Sequence, residues 1–249
     1  MAVEPSPPTL ESKQRIPRGK SASVRSAPAS PSALKSKQRA LREGFSKEFD
    51  LRIHRAISWI DRSRQEADDP DARFIFCWIA FNAAYAEDEP PRAGQAGRRE
   101  RGRFEKFFRQ IHRLDDAHRV YHAIWQRFCD PIRRLLYNHY VFQPFWDFQR
   151  GVAGHEGWER WFEASKKRVN KDLSAQNTPA ILATLFDRLY VLRNQLLHGG
   201  ATWRSGRNRE QVSDGAQILG FLVPLFLDLM MDNPNEDWGT PSFPVVERP

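Results

Sequence analysis

The 249-residue sequence has only two cysteines and lacks long uninterrupted apolar runs. Cys77 and Cys129 stand in aromatic-rich helical patterns and not in paired motifs, so we expect reduced thiols and no disulfide framework. No apolar run approaches the roughly 18 residues that a membrane-spanning helix needs. The basic start, rich in Ser and Pro, also has no apolar segment of the kind found in secretory signals. These absences predict a cytoplasmic protein without a membrane span.

Several sequence patterns that mark common enzyme classes are also absent. We find no strand-like alternation, no phosphate loop, no dinucleotide glycine fingerprint and no nucleophile elbow. The glycines of "GVAGHEG", residues 151–157, follow no predicted strand. His118 and His122 have the i,i+4 spacing of a zinc pair, but no third ligand of matching pattern follows. We therefore expect neither a metal site nor a cofactor.

The formal charge of +8 is unevenly distributed along the chain. Residues 1–48 hold ten basic and four acidic side chains, a net +6, which leaves 29 basic and 27 acidic ones, a net +2, for residues 49–249. A flexible basic arm can hold a phosphate backbone without sequence preference. A tail that is kept soluble by its charge explains the same pattern, so both interpretations stay open.

The chain divides into an arm and one helical domain. Residues 1–32 are rich in Pro, Ser and Lys/Arg and have almost no large apolar residues. Such a composition buries too little surface to become ordered, so it predicts a disordered basic arm. From about Ala33 the pattern is helical, and residues 33–249 are assigned to a single domain that closes with an extended, Pro-rich tail.

Apolar periodicity and capping signals predict an all-α bundle of about seven helices. The first helical pattern places apolar residues at steps of four, four, four and three, at Phe45, Phe49, Ile53, Ile57 and Ile60. Asp69-Pro70 and Thr178-Pro179 each indicate an N-cap followed by proline at the first helical position. The last helix, about 209–231, contains Pro224, which we expect to kink it.

The helix that starts near Thr178 ends in "LYVLRNQLLHGG", residues 189–200. On an ideal wheel with Ile181 at zero, Arg193 falls at about 120°, beside the arc of leucines. An unpaired guanidinium there is costly, so a carboxylate, a partner chain or an anionic ligand should meet it. His198 falls at about 260° in the last turn, where the helix dipole favours an imidazolium. Asn194, one turn earlier, is within reach to orient the ring.

Arg193, Asn194 and His198 resemble the signature of the HEPN superfamily (higher eukaryotes and prokaryotes nucleotide-binding). In that signature an Arg and a polar residue precede a His by a short interval, and this sequence matches it at the shortest permitted spacing. "FIFCWIAFNAAYAED" in an early helix and "DWGTPSFPVV" near the end are similar to the solitary bacterial, Apea-like members. The resemblance covers roughly residues 40–245.

The resemblance implies an all-α bundle that, in many members, is a metal-independent endoribonuclease and works as a homodimer around a shared cleft. It implies that His198 moves the proton of the ribose 2′-hydroxyl, that Arg193 stabilises the charge on the phosphoryl oxygens, and that Asn194 assists. It also points to a toxin or defence role, with RNA or a nucleotide as ligand and an antitoxin as a further partner.

Two alternatives stay open beside this interpretation. A non-catalytic HEPN module would bind a nucleotide or a protein partner, because a fold does not fix a function. In a purely structural helical protein, Arg193 would pair with an interior carboxylate such as Asp187 or Asp228. His198 would then only stabilise the helix end.

The most basic part of the predicted domain lies between Arg98 and Arg134, with eleven basic and five acidic residues. Four arginines at its start are candidates for an RNA-binding edge: Arg98, Arg99, Arg101 and Arg103. A solvated helix start explains them equally well. Aromatic residues that follow could stack on unpaired bases, but core packing is their default role.

Overall fold

The computed structural model describes residues 27–87, 96–206, 208–241 and 243, without the side chains of residues 96–99. This part of the chain contains ten α-helices and no β-strand beyond one isolated bridge between Glu87 and Pro241. The helices are α1 Pro31–Leu41, α2 Lys47–Arg64, α3 Pro70–Tyr85, α4 Ala96–Leu114, α5 Arg119–His122, α6 Cys129–Leu136, α7 Gln143–Gln149, α8 Trp158–Ser174, α9 Thr178–Leu197 and α10 Arg209–Asp232. The predicted all-α class is confirmed.

The prediction of about seven helices was too low, because two of the predicted helices are interrupted. The first becomes α1 and α2, since a 3₁₀ turn follows α1 and the Ser46 hydroxyl caps α2 by accepting from the Phe49 amide at 3.1 Å. The second, which the sequence predicts over residues 117–142, becomes α5 and α6, separated by a π-helical turn at Ala123–Arg127, and α7 is an extra short helix. The periodicity continues across these breaks, which is why it did not reveal them.

The helix starts follow local capping chemistry. Asp69 Oδ1 accepts from the first amides of α3, which confirms the predicted cap. The predicted cap of α9 was one residue late: Asn177 caps the Ala180 amide at 3.3 Å, and Thr178 is the first helical residue. Helix α1 begins at Pro31, two residues before Ala33. Of the predicted arm, residues 1–26 lie outside the described residues.

The centre of the bundle is an aromatic core around α3. Helix α3 packs between α2 and α10, and α9 packs against α4. The core contains rings from α3, α4, α9 and α10, including Phe74, Trp78, Phe81, Phe104, Phe108, Phe186 and Phe226. The ring centroids of Phe81 and Phe186 lie 4.4 Å apart. Helix α9 is thereby held on two sides along its N-terminal half.

Helix α10 is long and apolar enough to cross a membrane, judged by length and composition alone. However, 78% of its apolar window is buried inside the bundle, as in a core helix. Pro224 lies inside this helix, which continues to Asp232, and the kink expected at Pro224 stays a prediction.

The segment after α10 folds back onto the bundle. The Trp238 side chain is buried, and its Nε1 donates to the Asn233 carbonyl at 2.9 Å. Arg52 of α2, only 1% exposed, ties this segment to the end of α3. Its guanidinium donates to the carbonyls of Ala84 at 2.6 Å, Ala86 at 3.1 Å and Gly239 at 3.0 Å. The predicted extended tail therefore has its described part packed against α2 and α3.

Candidate functional site

Helix α9 carries the motif from the core to the surface. Its first half is buried, whereas Arg193, Asn194 and Gln195 are half-buried and His198 is exposed. The helix ends because Gly199 takes a left-handed conformation, with φ at 71°, and the Gly200 amide donates back to the Gln195 carbonyl at 2.8 Å. The two glycines thus end the helix as predicted, and they leave the imidazole of His198 open to solvent.

The Arg193 guanidinium is directed along its own helix. Its Nη1 donates to Asn194 Oδ1 at 2.9 Å, and its buried Nε has no hydrogen-bond partner among the described residues. Neither interior carboxylate that we considered pairs with it. Asp187 Oδ2 lies 3.6 Å from Arg101 Nη1, and Asp228 pairs elsewhere. In the described part of the chain, Arg193 forms no ion pair.

Asp228 on α10 is bound by two other cations. Lys37 Nζ lies 2.6 Å from its Oδ1, and Arg119 Nη1 lies 2.5 Å from its Oδ2. Burial acts to raise the pKa of the Asp228 carboxyl, but the hydrogen bonds and charges of these two partners outweigh it. The pKa of Asp228 is therefore lower than that of a free carboxyl, and the side chain is part of the bundle's own ionic structure.

Glu100 at the start of α4 is the acidic group whose charge acts on the motif. Burial raises the pKa of its carboxyl, and the positive charges of Arg103 and then Arg193 oppose that shift. Its Oε2 lies 3.7 Å from Arg103 Nη1. Glu100 was not among the residues predicted for the site, although it is the one carboxylate in the four-arginine stretch, residues 98–103.

Asn194 and His198 share backbone and not side-chain contacts. The His198 amide donates to the Asn194 carbonyl at 3.0 Å, while the Asn194 side chain accepts from Arg193. Within the residues described, the His198 imidazole has no hydrogen-bonding or ionic partner. Asn194 was expected to orient His198; in this conformation its side chain positions Arg193 instead.

The loop after the motif is anchored to the first turn of α3. Trp203 Nε1 donates to Asp69 Oδ2 at 2.8 Å, and the Arg204 guanidinium lies 4.5 Å from the Trp203 ring centroid. Arg209 Nη2 donates to Asp71 Oδ1 at 2.6 Å. Trp203 is nevertheless 67% exposed. The anchored loop therefore presents a large apolar side chain to solvent five residues after His198.

Of the predicted RNA-binding edge, the structure describes the side chains of Arg101 and Arg103. The Arg101 guanidinium approaches Glu105 at 3.4 Å as well as Asp187, and Arg103 approaches Glu100. The side chains of Arg98 and Arg99 lie outside the described residues. Because α4 packs on α9, the edge begins next to the motif helix.

The arginine that α9 buries fully is Arg188, which the sequence analysis did not single out. Arg188 is 1% exposed; its Nη2 donates to Ser165 Oγ at 2.9 Å, and its guanidinium lies 4.6 Å from the Phe142 ring centroid. Burial lowers its pKa to about 10, with the charge of Asp187 opposing the shift. Seven residues after Ile181, it falls at about 340° on the same wheel, so the wheel already contained this signal.

Both cysteines are free, with Cys77 buried and Cys129 half-buried. Among the described residues, no group of three or more His, Cys, Asp or Glu side chains could hold a metal ion. Phe128 and Phe142 are buried, as core packing predicts, whereas Phe148 is 41% exposed.

We compared the chain with models of known families, with curated proteins and with solved structures, and none of them matches it.

Proposed function

We propose that this protein is a metal-independent endoribonuclease of the HEPN type, with Arg193, Asn194 and His198 at its reactive centre. The proposal is supported most by the state of two side chains at the C-terminal end of α9, His198 and Arg193. An exposed imidazole stands five residues after a half-buried guanidinium that forms no ion pair with any described carboxylate. A guanidinium in that condition is available to an external anion such as phosphate.

The chemistry of these groups fits cleavage of RNA through its own 2′-hydroxyl. The His198 imidazole accepts the hydroxyl proton while the oxygen attacks the adjacent phosphorus. The bond from phosphorus to the 5′-oxygen breaks, and the departing oxygen takes a proton from water, while the imidazolium returns its proton to solvent. Arg193 donates to the non-bridging oxygens as their charge grows. The products are a 2′,3′-cyclic phosphate and a 5′-hydroxyl, with no metal in any step.

A second copy of the chain belongs to the proposal. On an ideal helix Arg193 and His198 are about 140° apart, so one copy does not direct both side chains at one phosphate without a change at the helix end. A homodimer in which the two motifs face each other brings Arg193 of one copy towards His198 of the other. Leu197, inside the motif, and Trp203, in the loop after it, are 48% and 67% exposed and supply apolar surface for such a contact.

The decisive experiment is cleavage of a labelled single-stranded RNA by the full-length protein in EDTA. We expect cleavage products with 2′,3′-cyclic phosphate ends. His198→Ala should abolish cleavage without changing the melting temperature, because the ring is exposed. His54→Ala is the matched control, since His54 is also an exposed helical histidine and lies on α2. Equal cleavage by wild type and His198→Ala would refute the proposal.

The alternative is a non-catalytic module that binds RNA or a nucleotide at the same residues. It is favoured by the Arg193–Asn194 hydrogen bond, because the Asn194 side chain then contacts Arg193 and not His198. Binding without cleavage, weakened by Arg193→Ala and unaffected by His198→Ala, would establish this alternative. A toxin or defence role, with an antitoxin that silences the protein, is the cellular setting that we propose for the active form.

A further inference from the structure

A cleft of about 610 Å³ opens where α2 ends and α3 begins, against the N-terminal half of α10 and the π-helical turn before α6. No residue of α9 lines it, so it is separate from the motif. Its lining contains three arginines, Arg64, Arg73 and Arg127, and its described lining contains no Asp or Glu. The remaining lining is made largely of small side chains, together with two phenylalanines, Phe128 and Phe221.

Two of the three arginines are placed by specific features of the fold. Arg73 lies flat on α10 because Gly220 has no side chain; a Cβ there would stand 3.0 Å from Arg73 Nη2. Arg127 is the last residue of the π-helical turn, and its guanidinium lies 4.7 Å from the Phe221 ring centroid. Single π-helical turns are frequent at functional sites because they redirect side chains. These arrangements hold two cationic groups at the walls of the cleft.

No carboxylate neutralises these three groups within the described part of the chain. Arg64, Arg73 and Arg127 form no ion pair and no hydrogen bond there. Other arginines of the bundle do pair: Arg134 Nη2 lies 2.8 Å from Asp214 Oδ1, on the same helix that forms one wall of the cleft. A concave surface lined by charges of one sign concentrates the potential and attracts counter-ions. The cleft is therefore built to receive negative charge.

We propose that this cleft binds a phosphorylated small molecule of nucleotide size, a nucleoside diphosphate or triphosphate. Guanidinium groups bind phosphate oxygens through paired hydrogen bonds, and three of them fit more than one phosphate. The volume lies within the range of small-molecule pockets and exceeds what a phosphate group fills. The Arg127 guanidinium lies 4.7 Å from the Phe221 ring centroid and 5.4 Å from that of Phe128, and both rings line the cleft, where they supply apolar surface for a planar base. The site does not depend on the motif of α9 and stands independently of the ribonuclease proposal.

Calorimetric titration of the full-length protein tests the site with three probes: ADP, inorganic pyrophosphate and adenosine. ADP should bind, pyrophosphate should bind more weakly, and adenosine should not bind detectably. Affinity for ADP should fall as salt is raised, because two of the three arginines are exposed. Arg73→Gln and Arg127→Gln should each weaken ADP binding by about tenfold to a hundredfold.

Two controls separate this site from general charge and from the motif. Arg109→Gln removes the same charge from an exposed position on α4, outside the cleft, and should leave ADP binding unchanged. His198→Ala should also bind ADP as wild type does, whatever its effect on RNA cleavage. Melting temperatures of all variants establish that they are folded.

Three outcomes would overturn the proposal. The first is the absence of ADP and pyrophosphate binding to wild type. The second is equal weakening by Arg109→Gln and Arg73→Gln, which would mean non-specific charge. The third is binding of single-stranded RNA, lost in Arg73→Gln, without binding of ADP; the cleft would then be part of an RNA path and not a nucleotide site.

Discussion

Arg52 should be far more important for stability than Arg188, although the two are alike in every general property. Both are arginines on core helices, both are 1% exposed, and burial lowers the pKa of each to about 10. They differ in their partners. Arg52 donates to three backbone carbonyls, two of them at the C-terminal end of α3, whereas Arg188 donates to one hydroxyl and lies over two rings, Phe142 at 4.6 Å and Phe162 at 5.9 Å.

The size of the difference follows from those partners. A hydrogen bond from a charged donor contributes about 1.5–3 kcal/mol, and a desolvated cation–π contact contributes about 2 kcal/mol. Replacing either arginine by Met also removes a desolvation penalty of several kcal/mol, which favours the folded state of the variant. For Arg52→Met the loss of three hydrogen bonds outweighs the removed desolvation penalty, and we expect the free energy of unfolding to fall by about 3 kcal/mol. For Arg188→Met the terms nearly cancel, and we expect a change of about 0–1 kcal/mol.

Urea unfolding followed by far-ultraviolet circular dichroism measures both values. The slope of unfolding free energy against urea should be the same in both variants and wild type, so that midpoints compare stabilities directly. Equal costs for Arg52→Met and Arg188→Met would refute the reasoning, because burial alone and not the carbonyl partners would then decide stability. A cost below about 1 kcal/mol for Arg52→Met would refute it as well.

Gly215→Ala should destabilise the bundle by about 1–3 kcal/mol, because a Cβ at Gly215 would lie 2.7 Å from Phe74 Cε2; an unchanged melting temperature would contradict this. Asp228→Asn should lower the unfolding free energy above about pH 4, the usual carboxyl range. Since the folded pKa of Asp228 is lowered, its contribution is lost as pH falls through that value, and titrated unfolding should show a flatter acid limb in the variant. Refolding Arg193→Ala mixed with His198→Ala should recover about a quarter of wild-type RNA cleavage if each site uses both copies; no recovery would mean that each copy works alone.

The sequence was sufficient for the fold class because helix periodicity and caps are local. Asp69-Pro70 begins α3 as predicted, and Gly199-Gly200 ends α9. The number of helices, however, could not be predicted from local patterns. The sequence is helical in pattern on both sides of Ser46, yet α2 begins there as a separate helix because the Ser46 hydroxyl caps it. Likewise, the π-helical turn at Ala123–Arg127 leaves no gap in the apolar pattern.

The candidate site could be predicted in part. The residues of the motif and the open end of α9 were evident from sequence, but Glu100 was not, since the charge of Arg193 acts on its carboxyl only because α4 packs on α9. The cleft at the start of α3 was also invisible. Its three arginines come from three separate segments, and nothing in their spacing along the chain relates them.

The helical wheel indicated that α9 carries an arginine among its apolar residues, but the arginine that is fully buried is Arg188 and not Arg193. A wheel shows the direction of a side chain around the axis but not its position along the axis. Arg188 and Arg193 both fall near apolar directions, yet the core surrounds only the N-terminal part of α9, so Arg188 is 1% exposed while Arg193 is half-buried. The desolvation cost of a fully buried guanidinium therefore falls on Arg188, where a hydroxyl and two aromatic rings offset it. Arg193 lies where the core ends, close enough to solvent for an external anion to reach it.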